Sequence, residues 1–187
     1  MASIINASTT SGVVITGDTS GNLSLQTQAG ANTITVPNTS GTMMVSGNMP
    51  AFSVYSNAQQ TVNNGTFTKL SLQVKEFDTS SSFDNSTNYR FTPTVAGYYQ
   101  INGAGQIATA SQGLLVSIYK NGSEYKRGIW FGNVASIGNQ SIVSTIVYLN
   151  GSTDYIELYM YQASGSNYLT NYGSNSTYLN GTLVRAA

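Results

Sequence analysis

Short apolar runs separated by turn residues follow one another along the chain, and none shows the 3.6-residue period of an amphipathic helix. Several runs are bounded by Asn-Gly, the turn dipeptide that accepts positive φ, as at Asn121-Gly122 and Asn150-Gly151. This pattern predicts an all-β sandwich of about nine or ten strands. The predicted strands are residues 51–57, 67–77, 89–91, 97–109, 113–120, 125–131, 141–149, 154–162 and 177–185.

Residues 1–49 form a separate segment, which contains one charged side chain, Asp18, and no aromatic residue. A segment so poor in large side chains cannot bury enough apolar surface to fold alone. Its apolar clusters recur about every ten residues, the cadence of short strands, and three copies around one axis would bury them together. We therefore predict a trimeric β-rich stalk or docking arm over 1–49 and a head over 50–187, with a disordered polar tail as the alternative for 1–49. The predicted stalk core consists of Val14, Leu23, Leu25, Ile34 and Val36.

The strand predicted over 154–162 is apolar on both faces. Ile156, Leu158 and Met160 alternate with tyrosines, so one face suits the sandwich core and the other needs a second surface. The run 141–149 has the same ambiguity, because valines alternate there with Ile142, Ile146 and Tyr148. A subunit interface is the favoured cover and a ligand is the alternative. The predicted interface residues are Tyr155, Tyr159, Tyr161, Val143 and Val147.

The amino-acid composition excludes several classes of function and of binding site. Charged residues make up only 7 % of the 187 residues, and the seven acidic side chains balance the seven basic ones. No net charge therefore attracts nucleic acid or an anionic membrane. The sequence has no cysteine and no histidine, which excludes disulfides and removes the commonest general base and metal ligand. It also shows no membrane-spanning apolar run and no secretion signal at its start, so we expect synthesis in a cytoplasm without Sec export.

Catalysis has little support in the residues. A Ser–Lys pair with one of the lysines has no supporting spacing. Glu76 and Asp78 are interpreted as a charge pair on an edge strand rather than as the two carboxylates of a glycosidase. We predict no catalytic residue and no cofactor.

Two ligand sites remain as alternatives to ordinary turn and interface chemistry. Asp78, Asp84 and Asn85 offer oxygen ligands for calcium in one loop, although Asx-type turn capping is favoured. The second candidate is a binding site for an anionic or sugar ligand formed by Lys126-Arg127 beside Trp130-Phe131. Such a group of residues is more often part of an interface or of a hairpin rim.

The segment 89–101 carries a motif of a known family. Phe91, Gly97, Tyr99 and Ile101, at their spacing, resemble the signature of the complement-component-1q and tumour-necrosis-factor-like jelly rolls. We expect Gly97 to let the chain turn into a long strand, in which Tyr99 and Ile101 point to one face. Similarity extends over the whole head, and the resemblance implies a ten-stranded, two-sheet jelly roll that packs as a homotrimer.

Residues 7–23 resemble leader segments of small virion proteins of phages. Together the two resemblances imply a structural protein on the virion surface. The favoured role is capsid decoration, with the arm docked on the major capsid protein or another virion protein. The alternatives are a receptor-binding fibre tip that grips a host surface glycan or protein, and a bacterial adhesin or spore-coat protein. Neither nucleic acid nor a membrane is a predicted partner.

Overall fold

The computed structural model describes residues 23–26, 33–36, 44, 49–108, 113–132 and 140–187. Every regular element in these residues is a β-strand, so the prediction of an all-β fold is confirmed. The same residues contain no helix that is long and apolar enough to cross a membrane. The chain divides into two compact units, Met1–Thr42 and Met43–Ala187.

The first unit contains an antiparallel pair of short strands, β1 (Leu23–Gln26) and β2 (Thr33–Val36). Leu23 pairs with Val36, and Leu25 pairs with Ile34. Two of the predicted apolar clusters are therefore strands, and four of the five predicted stalk-core residues stand opposite one another in register. Val14 lies outside the described residues. A trimeric stalk stays a prediction.

The second unit begins before the predicted junction at Pro50, because Met44 packs against the core of the sandwich. Its first sheet has five antiparallel strands. In spatial order they are β12 (Gln140–Leu149), β9 (Gly97–Gln106), β15 (Tyr178–Ala186), β3 (Ala51–Tyr55) and β6 (Val74–Asp78).

The second sheet lies opposite the first. A separate two-stranded sheet is formed by β4 (Thr61–Val62) and β14 (Tyr168–Leu169). In spatial order its strands are β11 (Ser123–Arg127), β10 (Leu114–Lys120), β13 (Ile156–Gln162), β8 (Arg90–Phe91) and β7 (Phe83–Asp84), with β5 (Thr68–Lys69) also paired to β13.

The run predicted as one strand over 67–77 is two strands, β5 in the second sheet and β6 in the first. The chain crosses between the sheets here, and Leu70 and Leu72 are both buried in the core. Leu70 and Leu72 continue the apolar–polar alternation of a strand through this crossing, which explains why the run resembles one strand in the sequence.

The hairpin between β10 and β11 confirms the predicted Asn-Gly turn. Asn121 and Gly122 have φ of 52° and 78°. Positive φ at both central residues is the geometry of the two-residue turns that match the twist of a hairpin.

The core lies between the two sheets and contains the predicted signature residues. Phe91, Tyr99 and Ile101 are fully buried. The ring of Phe91 stacks on Phe52 with centroids 4.2 Å apart and meets Tyr99 edge-on at 5.6 Å. The Tyr99 hydroxyl donates a hydrogen bond to the Val95 carbonyl at 2.7 Å, and burial raises the pKa of Tyr99 to about 12. The motif therefore marks the aromatic centre of the sandwich.

Gly97 has a different role from the predicted one. It is the first residue of β9, and a Cβ atom there would lie 2.4 Å from the Arg185 carbonyl oxygen and 2.7 Å from Cδ1 of Leu183. Both contacts belong to β15. Glycine is needed because the two strands approach closely, not because the chain turns.

The predicted interface role of Val143 and Val147 is wrong. Both side chains point into the core, with 4 % and 1 % of their surface exposed. The outward residues of β12 are Ile142, Ile146 and Tyr148. Alternation identified the two faces correctly, but both sets are apolar, so only the pairing of the sheets decides which one is inside.

Candidate functional site

The outer face of the first sheet carries a patch of exposed apolar side chains, here called the apolar face. Each of its five residues has between 41 % and 55 % of its surface exposed. They lie on three neighbouring strands, β12, β9 and β15. The apolar face consists of Tyr98, Ile142, Ile146, Tyr148 and Val184.

A ladder of uncharged polar groups crosses the same three strands. The Gln100 amide donates to Ser144 Oγ at 2.9 Å, and the Ser144 hydroxyl donates to Asn102 Oδ1 at 2.8 Å. The Asn102 amide donates in turn to Asn180 Oδ1 at 3.1 Å. Because these groups already satisfy one another, a protein surface can cover them at a small desolvation cost.

The outer face of the second sheet carries a concave site of about 450 Å³, here called the aromatic cleft. It is lined by Phe67, Leu115, Arg127, Trp130 and Tyr161. Ring centroids of Phe67 and Tyr161 are 5.2 Å apart, and those of Trp130 and Tyr161 are 6.0 Å apart. Rings that contact one another in this way form walls held in place by packing.

A stacked pair of tyrosines continues the cleft along the sheet. Tyr119 of β10 lies 3.9 Å from Tyr159 of β13 between ring centroids, and Phe67 lies 5.7 Å from Tyr119. Immediately before β13, the Arg90 guanidinium stands 4.4 Å above the ring of Tyr155.

Charges at the cleft are paired. Arg127 donates from Nε and Nη2 to the two carboxylate oxygens of Glu124, at 2.9 and 2.7 Å. This ion pair lowers the pKa of Glu124, with help from the Ser117 hydroxyl, which donates to Oε1 at 2.7 Å. On the same sheet, Lys69 Nζ lies 3.1 Å from the buried carboxylate of Glu157.

The three tyrosines predicted at a trimer interface each have a partner within the chain. Tyr155 lies under Arg90, Tyr159 stacks on Tyr119, and Tyr161 contacts two rings of the cleft. All three are half-buried. Each ring is therefore covered in part by its own chain, and a role for the three tyrosines at a trimer interface stays a prediction.

The residues of the candidate ligand site at 126–131 do not lie together in the structure. Arg127 lines the cleft with Trp130, whereas Lys126 lies 5.7 Å from the ring of Tyr125. Phe131 pairs through its backbone with Leu114, at 2.9 and 3.0 Å. Neighbours on a strand point to opposite faces, which explains the separation of Lys126 from Arg127.

Asp78 closes a turn. Its carboxylate accepts hydrogen bonds from the Phe83 and Ser82 N–H groups at 2.9 and 3.0 Å and from Lys75 Nζ at 2.9 Å. Burial acts to raise the pKa of Asp78, but these bonds outweigh it and the pKa is lowered.

Asp84 also closes a turn, as the favoured Asx-type reading predicts. It accepts bonds from the Thr87 and Ser86 N–H groups, both at 3.0 Å, and from the Asn88 side-chain amide at 2.8 Å. These bonds hold the pKa of Asp84 well below its ordinary value. Asn85 instead donates to the Gln73 carbonyl at 2.6 Å.

Sequence reasoning did not identify Phe67, Leu115 or Tyr119 as part of a surface site. The alternation along β10 contained a signal, since Leu114, Val116 and Ile118 are the inward set and the residues between them face outward. Phe67 comes from a distant part of the chain, and its contacts with Tyr119 and Tyr161 have no local sequence signal.

No protein-family model and no curated protein matches the chain, but solved structures do. Murine APRIL, at pH 5.0, superimposes with a TM-score of 0.55 and 11 % identity, over 73 % of this chain and 99 % of its own. Eiger TNF from S. frugiperda gives 0.56 and 6 %, over 74 % and 93 %. The vertex protein P5 of PRD1 gives 0.55 and 12 %, over 73 % and 97 %. At these identities the likeness shows the fold alone: the head of this chain is a jelly roll similar to those of tumour-necrosis-factor-like proteins.

Proposed function

We propose that this protein is a non-enzymatic structural protein that works as a homotrimer on the surface of a phage particle. The observation that carries the proposal is the apolar face. A patch of aliphatic and tyrosine side chains beside a self-satisfied polar ladder has the composition of the buried centre of a protein interface. The contact buries Ile142, Ile146 and Tyr148 between subunits.

The fold supports the threefold arrangement. Tumour-necrosis-factor-like jelly rolls associate as trimers, and PRD1 vertex protein P5 is a phage virion protein with a similar fold. The sequence analysis placed Tyr155, Tyr159 and Tyr161 at this interface. Because each has a partner within the chain, we assign the subunit contact to the apolar face of the first sheet instead.

Capsid decoration is the favoured role within this proposal. The first unit, with its hairpin of β1 and β2, is the docking arm, and its partner is the major capsid protein or another virion protein. In this role the head is the part that is exposed on the particle. The second candidate role is a receptor-binding tip of a tail or head fibre, and the aromatic cleft on the second sheet favours it.

The mass of the full-length protein in solution tests the trimer. Light scattering is expected to give about three times the 19.8 kDa of one chain over a wide range of concentrations. A mass of one chain at every concentration would overturn the proposal. Gold-labelled antibody on phage particles then separates the two roles, because decoration labels the shell and a receptor-binding tip labels a fibre end.

A further inference from the structure

We infer that the aromatic cleft binds a neutral saccharide. The inference names a ligand class for the receptor-binding role proposed above. It rests on that proposal in one respect, because the second sheet must face outward from the trimer. Trp130 and Tyr161 supply ring surfaces, and Arg127, which stands 5.7 Å over the ring of Phe67, supplies polar groups together with Glu124. A concave, mostly apolar site with a few fixed polar groups is the usual form of a small-ligand site.

The ring geometry suits a pyranose. One side of a pyranose ring presents C–H groups, which pack on the face of an aromatic ring, while its hydroxyls point sideways and need hydrogen-bond partners. Trp130 has about half of its surface exposed, so part of the indole is open to a ligand. Its contact with Tyr161, at 6.0 Å between centroids, limits how far the indole can move.

The charges favour a neutral sugar over an anionic one. Arg127 is the cation that lines the cleft, and both carboxylate oxygens of Glu124 already accept from it. An acidic sugar would have to approach this carboxylate as well as the guanidinium. The guanidinium has five N–H donors, of which the Glu124 pair uses two. Oε1 of Glu124 accepts from both Arg127 and Ser117, whereas Oε2 accepts from Arg127 and keeps a lone pair. Adjacent hydroxyl groups match such a set of donors and acceptors.

The backbone beside the cleft is shaped for the indole. Gly113 has φ of +113°, and a Cβ atom there would lie 2.4 Å from Cζ2 and 2.8 Å from Cη2 of Trp130. The indole therefore lies against the backbone at a position where any other residue would both strain the chain and displace the ring. This contact sets the position of one wall of the site.

Trp130 is the only tryptophan of the chain, so its fluorescence reports directly on the cleft. The full-length protein is titrated with lactose, maltotriose, chitotriose and mannotriose, and sialyllactose serves as the charged counterpart of lactose. We expect a saturable change of emission with at least one neutral saccharide. We expect Tyr161→Ala and Arg127→Gln each to weaken that binding about tenfold or more. Arg127 is well exposed, so the second variant keeps its fold.

Tyr172→Ala is the matched control, because Tyr172 is an exposed tyrosine outside the residues that line the cleft, and it should bind like the original protein. The inference is overturned by the absence of a saturable response to every neutral saccharide, by a response to sialyllactose alone, or by unchanged binding in both cleft variants. It is also overturned if acrylamide reaches Trp130 only after the subunits dissociate, since the cleft would then be a subunit contact.

The mass measurement keeps the two proposals separate. A monomer that binds a neutral saccharide overturns the trimer and leaves the cleft assignment standing. A trimer that binds none overturns the cleft assignment alone.

Discussion

The phenol ring of Tyr159 lies on that of Tyr119, with centroids 3.9 Å apart and planes inclined by 22°. The two residues are diagonal neighbours across β13 and β10, since Ser117 is paired with Tyr159 and Tyr119 with Glu157. Aromatic side chains reach across such a diagonal. A second strand of the same sheet therefore provides the cover that the sequence pattern alone attributes to another subunit.

The Tyr119–Tyr159 stack should be energetically coupled. In a double-mutant cycle with Tyr119→Leu and Tyr159→Leu, we expect a coupling of about 0.5–1.5 kcal/mol in the free energy of unfolding. Urea denaturation at one fixed protein concentration measures it. Tyr159→Leu combined with Tyr172→Leu is the control and should be additive. A coupling near zero in the first cycle would mean that the stack adds nothing beyond the burial of each ring.

The apolar face should fail to associate when it carries a charge. Ile146→Asp brings a carboxylate from each subunit into the proposed contact, and burying such a group without a partner costs on the order of several kcal/mol. Light scattering should then give the mass of one chain. Leu169→Asp changes a similarly exposed aliphatic residue outside the apolar face and should leave the trimer intact. A trimer that persists in Ile146→Asp would move the interface to another surface.

The close approach of β9 and β15 should be sensitive to one added methyl group at Gly97. In Gly97→Ala the new Cβ atom collides with the Arg185 carbonyl, and the free energy of unfolding should fall by about 1–3 kcal/mol. Thermal unfolding measures the change. Gly132→Ala is the matched control, because no heavy atom lies within 4 Å of the Cβ position there. Equal melting temperatures for the two variants would contradict the close approach.

Asp84 should make stability depend on acid pH. Its pKa is lowered in the folded protein, first by the Thr87 N–H group, so its contribution is complete well above its ordinary value of 3.8 and is lost as the pH falls below that value. We expect Asp84→Asn to cost about 1–2 kcal/mol at about pH 7, with the difference narrowing towards about pH 2. Denaturation of both proteins across this range tests it. Parallel curves would show that the charge of Asp84 is not what closes the turn.

Local pattern was sufficient for much of the fold. The long strands of both sheets and the turn at Asn121-Gly122 follow from alternation and turn chemistry, which act between neighbouring residues. Tyr99 and Ile101 point to one face of β9, as the alternation predicts, and that face is buried in the core. The crossing near Leu70 was missed, because the apolar–polar alternation continues through the connection between the sheets as it would along one strand.

The sequence by itself determined that the head is an all-β sandwich, and it identified the two faces of β12 and β13. Only the tertiary structure decided which face of β12 is outside, because Val143 and Ile142 are equally apolar and the choice depends on pairing with β9. The aromatic cleft also belongs to the tertiary structure. The cleft joins Phe67, Tyr161 and Trp130 from separate strands and loops. Contacts between residues that are far apart along the chain leave no periodic pattern in the sequence.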